Sequence, residues 1–324
     1  ETDPEQSQAA LIAHVGDTLS LDATEAAFGV AEVVDENMAN AARVHAVENG
    51  EDLSEYTMIA FGGAAPLHAG RLCEKLGVDR LLVPPGAGVG SAIGFLRAPF
   101  SFEANRSVYM KLSDFDGEKI KGLLADLQAE ATGFVRTCDA ESPILSEFKV
   151  YMRYTGQGWE IPVSLTQEQA LQPDPAAFEA RFEEDYTQLF GRPVAGMDIE
   201  ITVWSVNATT PPETVAPIAQ ASGYTDAAVA GTRQLYDAAK TAELTASVVH
   251  RDAMDAGARI NGPAVVTEAE RTIIVPSSRL ALCQPDGCID VTLKGELDGA
   301  RAFQNRLSGH VVPVDLCCRR TSAR

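Results

Sequence analysis

The chain is short of positive charge: 26 lysines and arginines stand against 46 aspartates and glutamates in 324 residues, a formal net charge of −20. Such a surface repels phosphate backbones and anionic bilayers alike, which argues against nucleic acid or a membrane surface as partner. No uninterrupted apolar run reaches the ~18 residues of a membrane span, and no basic segment opens the chain as in a signal peptide. The six cysteines lack metal-ligand spacing: Cys73 and Cys138 fall on helical stretches, Cys283 and Cys288 flank a Gln-Pro-Asp-Gly turn, and Cys317 and Cys318 are adjacent. Free, reduced cytoplasmic thiols and no metal site are therefore expected. No Gly-x-Ser-x-Gly elbow and no signature Cys and His pair is present, so covalent catalysis has no support. An initial methionine is missing as well; Glu1-Thr2-Asp3-Pro4 suits a fragment or processed product better than an intact reading frame.

What is present is an ordinary apolar content of 45% and enough length for two domains at roughly 150 residues each. The most informative stretch is Phe61-Gly62-Gly63-Ala64-Ala65-Pro66-Leu67-His68-Ala69. It joins an apolar strand, Thr57 to Phe61, to a helix running from Pro66 to Leu76, closed by Gly77. Paired glycines let backbone approach a flat ligand with no Cβ in the way, and a helix start offers unpaired N–H groups to polar or anionic atoms. Read alone, the same turn is also a tight strand-to-helix connection without a ligand.

Around it, Asp22 and Glu25 have capping-box spacing for a helix that Asn49-Gly50 stops. A short strand, Arg80 to Val83, continues the strand and helix alternation of a parallel or mixed sheet. Gly88 to Gly94 opens a short helix; its glycines miss Gly-x-Gly-x-x-Gly spacing by one position and fit close packing of helix on sheet. An extended segment follows Pro99, and a helix spans about Asp116 to Thr137. Phe148, Val150, Met152 and Tyr154 then alternate with polar residues, as do Trp159, Ile161 and Val163 beyond Gly156-Gln157-Gly158, which reads as a hairpin with a glycine-rich tip. Alternation puts Arg153 opposite Met152 and Tyr154, with Glu160 across the hairpin as its expected partner. A helix from Asp174 to Leu189, a strand from Ile199 and several short β runs between Gln234 and Pro276 complete the pattern.

Together with Val34-Asp35-Glu36-Asn37-Met38-Ala39-Asn40-Ala41-Ala42-Arg43, Leu82 to Gly94, and Arg153-Tyr154-Thr155-Gly156-Gln157-Gly158-Trp159-Glu160, the glycine turn resembles the hydantoinase A / 5-oxoprolinase family. That family includes the corresponding subunits of acetone and acetophenone carboxylases. The resemblance runs from about Asp17 to Asp290 and is to the carboxyl-terminal half. It implies an α/β fold of actin-like ATPase type, as in sugar kinases and heat-shock chaperones, present here as a half-domain followed by a β-rich carboxyl-terminal region. On that reading residues 1–110 are the end of the ATPase domain, 111–210 an α+β region with the hairpin, 211–292 a small β-rich module and 293–324 an irregular tail. The family's phosphate-binding Asp-x-Gly-Gly-Thr turns do not occur in this sequence.

The resemblance implies ATP with Mg²⁺, most of whose ligands would lie outside this chain, and a cofactor wall formed by Gly62, Gly63, Ala64 and His68. His68 would orient a ligand group or bond the turn before it. Arg153, Gln157 and Glu160 would contact substrate: Arg153 offers a planar donor fork, Gln157 both donors and acceptors, Glu160 an anionic acceptor. Catalytic residues stay unassigned. The family's histidine before a Tyr-Gly turn has no counterpart, since Asp185 and Phe190-Gly191 stand there. The implied function is part of a cytoplasmic, ATP-dependent hydrolase of cyclic amides or imides, inactive by itself and partnered by a hydantoinase B-type subunit. The alternatives are a ketone carboxylase subunit and a non-catalytic assembly module. An enzyme should show a polar cleft beside the Gly62 turn, a module a broad apolar patch.

Overall fold

The computed structural model describes residues 3–213, 220–221, 223–269 and 271–295. The chain divides into two compact units, one made of residues 1–93 and 216–324, the other of residues 94–215.

The first unit begins with helical segments and the long helix Ala23–Asn49, which starts at the full Asp22/Glu25 capping box and stops at a left-handed Gly50. Strand β1 (Thr57–Ile59) leads through the glycine turn into the helix Ala65–Leu76, ended by a left-handed Gly77, and then into β2 (Arg80–Val83), parallel to β1. The helix Gly90–Arg97 follows.

In the second unit, β3 (Ser101–Lys111), β4 (Leu145–Tyr154), β5 (Ile161–Leu165) and β6 (Ile199–Thr209) form an antiparallel sheet in the order β3-β6-β4-β5. Strict alternation buries Phe148, Val150, Met152 and Tyr154 on one face. The helices Gly117–Cys138 and Pro175–Phe190 supply Ile120, Leu124, Leu127, Phe178 and Phe182 to the same core, around a fully buried Trp204. The Trp204 indole donates to the Val108 carbonyl at 2.9 Å, which satisfies the polar end of this large side chain.

The chain then returns to the first unit with β7 (Thr225–Asp226), β8 (Gly231–Asp237), β9 (Ala242–His250), β10 (Ala258–Asn261), β11 (Ala264–Thr267), β12 (Thr272–Val275), β13 (Arg279–Cys283) and β14 (Ile289–Leu293). These strands are not the separate module read in the sequence over 211–292. Four of them extend the sheet begun by β1 and β2, giving the order β1-β2-β14-β13-β10-β7, while β12-β11-β9-β8 form a second sheet. The expected boundary at residue 110 likewise gives way to one at 93/94. Two arginines, one part-buried and one buried, show why β2 and the segment before it meet β13 and β14. Arg80 grips Asp290 on β14 through two bonds of 3.0 and 2.7 Å. Arg279, 2% exposed, donates to the carbonyls of Val78 and Asp79, just beyond the helix Ala65–Leu76, where a cation is favoured. The expected tail, with His310, Cys317 and Cys318, lies outside the described residues except for its first three positions.

Candidate functional site

The glycine turn is held from both sides. Ala60 donates to Leu82 O and Gly62 to Ala87 O, each at 2.9 Å, so the backbone leaving β1 is fixed against the loop after β2. The Phe61 ring is wedged against Gly90, where an added Cβ would sit 2.3 Å from the ring. That close approach accounts for one glycine of the Gly88 to Gly94 run by packing. Gly62 has φ +117°, a conformation reserved for glycine, whereas Gly63 does not; neither has any atom within 4 Å of a built Cβ. Ala64 carries no side chain able to cap the helix Ala65–Leu76, and its first turn has no side-chain partner. The turn therefore offers bare backbone and open space at the head of a helix with no side-chain cap, although Pro66 has no N–H and the Leu67 N–H already bonds the Ala64 carbonyl at 3.0 Å.

His68 is turned elsewhere. Its Nδ1 lies 2.8 Å from Oδ1 of Asp35, a residue of the long helix that is 6% exposed. With a carboxylate as partner, Nδ1 is the donor and Nε2 is the nitrogen left for another group. The pair sits in a groove of about 340 Å³ with Phe28, Ala31, Leu67 and Tyr236 among its lining residues; Gly62, Gly63 and Ala64 do not line it. The four expected cofactor residues are thus divided, three on the turn and His68 between two helices, and its bond is not to the turn before it.

The charged residues around Asp35 clamp the same two helices. Arg71 meets Glu32 at 2.7 and 3.3 Å, Lys75 reaches Glu32 and Glu36, and Arg43 bonds Glu36 and the Lys75 carbonyl. Lys75 and then Arg43 hold the Glu36 carboxyl at about 2, and Arg71 holds Glu32 below the usual carboxylate range. Much of the Val34 to Arg43 motif therefore builds the fold.

In the second unit the expected ion pair is corrected. Arg153 bonds Glu200 at 2.9 Å, not Glu160, because β4 is flanked by β6 on one side and Arg153 stands directly opposite Glu200 in that register. Glu200 also accepts from Tyr109 on β3 at 2.9 Å, so one polar ladder crosses three strands. Desolvation raises the Glu200 carboxyl, but the bonds from Arg153 and Tyr109 outweigh it and the net direction is down. Glu160 accepts from Thr202 instead. Gln157 is engaged twice, accepting from the Tyr154 N–H at 3.3 Å and donating to the Tyr186 hydroxyl at 2.9 Å. An open depression beside it is lined by Gln157, Gly158, Trp159, Tyr186 and Phe190, with Trp159 59% and Phe190 54% exposed. The aromatic wall was not foreseen; Phe190 was noted only as standing, with Gly191, where the family has a Tyr-Gly turn.

Thiol chemistry gains no support, since burial pushes Cys73 and Cys288 up to about 11. Among the described residues no three His, Cys, Asp or Glu side chains are grouped to hold a metal ion. No described helix is long and apolar enough to cross a membrane.

The profile of the hydantoinase/oxoprolinase family matches residues 1–104, and that of the hydantoinase/oxoprolinase C-terminal domain matches 116–284, more than half of the chain. The chain belongs to the hydantoinase/oxoprolinase family. The caprolactamase subunit alpha of Pseudomonas jessenii is 26% identical over 293 residues, covering 87% of this chain and 42% of that protein. The acetone carboxylase beta subunit of Xanthobacter autotrophicus is 26% identical over 301 residues, covering 85% and 40%. The crystal structure of the ATP-dependent caprolactamase from Pseudomonas jessenii superposes with a TM-score of 0.68 at 24% identity, over 90% of this chain and 43% of that one. At that identity the likeness is one of fold, a mixed α/β architecture with several sheets. This member of the family spans about two fifths of the length of these relatives.

Proposed function

We propose that this chain is the part of an ATP-dependent, cytoplasmic amide-ring hydrolase that supplies the adenosine side of its nucleotide site. The observation that carries the reading is the turn itself: Gly62 and Gly63 present open backbone at the head of an uncapped helix, in a chain whose family includes ATP-dependent relatives. The first unit would then be half of an actin-like ATPase domain. Bound ATP would supply the phosphoryl group that activates a resonance-stabilised amide at its oxygen, making the carbonyl carbon an electrophile for water so that the ring C–N bond can be cleaved. Mg²⁺ and most of its ligands would lie in polypeptide outside this chain, because the family's phosphate-binding Asp-x-Gly-Gly-Thr turns do not occur in this sequence.

In this reading Gly62, Gly63 and Ala64 touch the nucleotide. His68 stays on the cofactor side as the residue that ties the head of the helix Ala65–Leu76 to Asp35 and leaves Nε2 for a further partner. On the substrate side, Arg153, Gln157 and Glu160 are each held through part of their hydrogen-bonding capacity, Arg153 through Nε to Glu200, and keep further donors or acceptors for a ligand, while Trp159 and Phe190 offer a flat apolar wall for the ring. The partner would be a hydantoinase B-type subunit; the two relatives named above are themselves named as subunits.

A ketone carboxylase subunit is the second reading, favoured by the acetone carboxylase similarity. The two separate on one assay with the longer polypeptide expected to carry this chain, together with its partner subunit. Phosphate release stimulated by a lactam or hydantoin supports the hydrolase. Stimulation by a ketone with bicarbonate, and not by a cyclic amide, transfers the assignment to the carboxylase.

A further inference from the structure

The groove that holds the Asp35 and His68 pair is built entirely from the first unit. Its walls come from the long helix Ala23–Asn49, the helix Ala65–Leu76, the end of β8, and β12 with Pro276 just beyond it. The volume of about 340 Å³ lies within the roughly 300–1,000 Å³ of small-molecule pockets. Phe28 and Tyr236 form an aromatic pair in the lining, with ring centroids 4.6 Å apart, and Ala31, Leu67 and Ile274 add aliphatic surface.

The polar atoms left over in this lining are of one kind. Asp35, 6% exposed, accepts from His68 Nδ1 through Oδ1. Among the described residues Oδ2 of Asp35 and Nε2 of His68 have no hydrogen-bond partner, and neither is one of the atoms buried without a bond. Both are acceptors, since a neutral imidazole that donates through Nδ1 accepts through Nε2. Arg71 is the one cation in the lining, and it is committed to Glu32 and Glu74. Clamping the two helices does not account for the pair. Arg71, Lys75 and Arg43 already join them through Glu32, Glu36 and the Lys75 carbonyl, and burying a further carboxylate costs desolvation that the clamp has no need to incur. Two free acceptors beside an aromatic pair select a ligand that brings donors and positive charge. A protonated amine satisfies both acceptors and gains from the ring faces, whereas an anion meets the carboxylates of Asp35, Glu32, Glu74 and Asp237.

We propose that the groove binds a small primary amine with an apolar body, Asp35 and His68 receiving the ammonium group and Phe28 and Tyr236 the body. The site goes beyond the nucleotide reading and stands whether or not Gly62 and Gly63 meet ATP. Phenethylamine and phenylacetate, alike in shape and opposite in charge, are the probes. In a nuclear magnetic resonance titration of the 324-residue chain with labelled histidine rings, phenethylamine should shift one imidazole signal saturably, the signal that His68→Gln removes. Phenylacetate at the same concentrations should leave it in place. Asp35→Asn should weaken phenethylamine by about tenfold or more with an unchanged circular dichroism spectrum. Ala31→Phe, which fills the groove from an exposed helix position without touching the pair, should block the amine even where the Asp35 variant misfolds. No shift with phenethylamine would overturn the proposal and leave the pair to helix packing. An equal shift with phenylacetate, or amine binding undiminished in Ala31→Phe, would overturn it as well.

Discussion

Gly70 sets the distance between the helix Ala65–Leu76 and β12. A Cβ built on Gly70 would lie 2.8 and 2.9 Å from the Pro276 ring and 3.0 Å from the Ile274 carbonyl oxygen. Two effects compete in Gly70→Ala. Alanine favours the helix by up to about 1 kcal/mol over glycine. Overfilling a close-packed contact costs about 1–3 kcal/mol, and the upper part of that range applies because proline is rigid and the third neighbour is backbone. The net expectation is a loss of about 1–2 kcal/mol. In urea, with a slope near 1–3 kcal/mol per molar, the midpoint followed by far-ultraviolet circular dichroism should fall by roughly 0.5–1 M. Gly63→Ala, whose Cβ meets nothing within 4 Å at an ordinary φ, is the matched control and should stay close to the parent. A Gly70→Ala midpoint equal to or above that of the parent would refute the reasoning, by showing that the sheet yields to the helix at little cost.

Arg153→Ala should cost about 1–3 kcal/mol by leaving the Glu200 carboxylate, 5% exposed, with Tyr109 but without its cation; adding Glu200→Ala should recover part of the loss, and equal losses in both variants would deny the pairing. Acid should weaken the fold in a defined window. The carboxyls of Glu32, Glu36 and Glu200 are all lowered from an ordinary 4.5. Their contribution is full above that value and is lost as pH falls through the folded values, down to about 2 for Glu36. Melting temperature should therefore hold from pH 7 to about 5 and fall below it, with a shallower fall in Glu36→Gln; an identical acid limb in that variant would contradict the clamp.

Local signals in the sequence carried the local structure. The Asp22/Glu25 box, the stops at Gly50 and Gly77, and the alternation in β4 all rest on neighbours within a few residues, and each stands where its chemistry required. Pairing across the chain was not legible. Nothing near Arg80 announces Asp290, 210 residues on, and β10, β13 and β14 are too short to display a period; every residue of β13 is buried, so it has no polar alternation to read. The same limit explains the candidate site. The hairpin was visible, but Arg153 chose its neighbour from β6, which the hairpin does not contain. His68 was visible one turn into its helix, but Asp35 was set against it by two helices whose contact no local pattern encodes. The open glycine turn was found because a strand, two glycines and a proline-started helix are contiguous.

The central claim is that the backbone at Gly62 and Gly63 forms a wall of the nucleotide site, and Gly63 is the position at which to test it. Its φ tolerates a side chain and its Cβ direction is empty, so Gly63→Val should leave the fold intact while obstructing a ligand; at Gly62 the strained φ would confuse the two effects. The decisive measurement is ATP affinity by isothermal titration of the longer polypeptide expected to carry this chain, with circular dichroism alongside. The account expects Gly63→Val to weaken ATP by on the order of 1–3 kcal/mol, roughly 5- to 150-fold in Kd, with an unchanged spectrum. Unaltered ATP affinity, or equal loss of fold and binding, would contradict it.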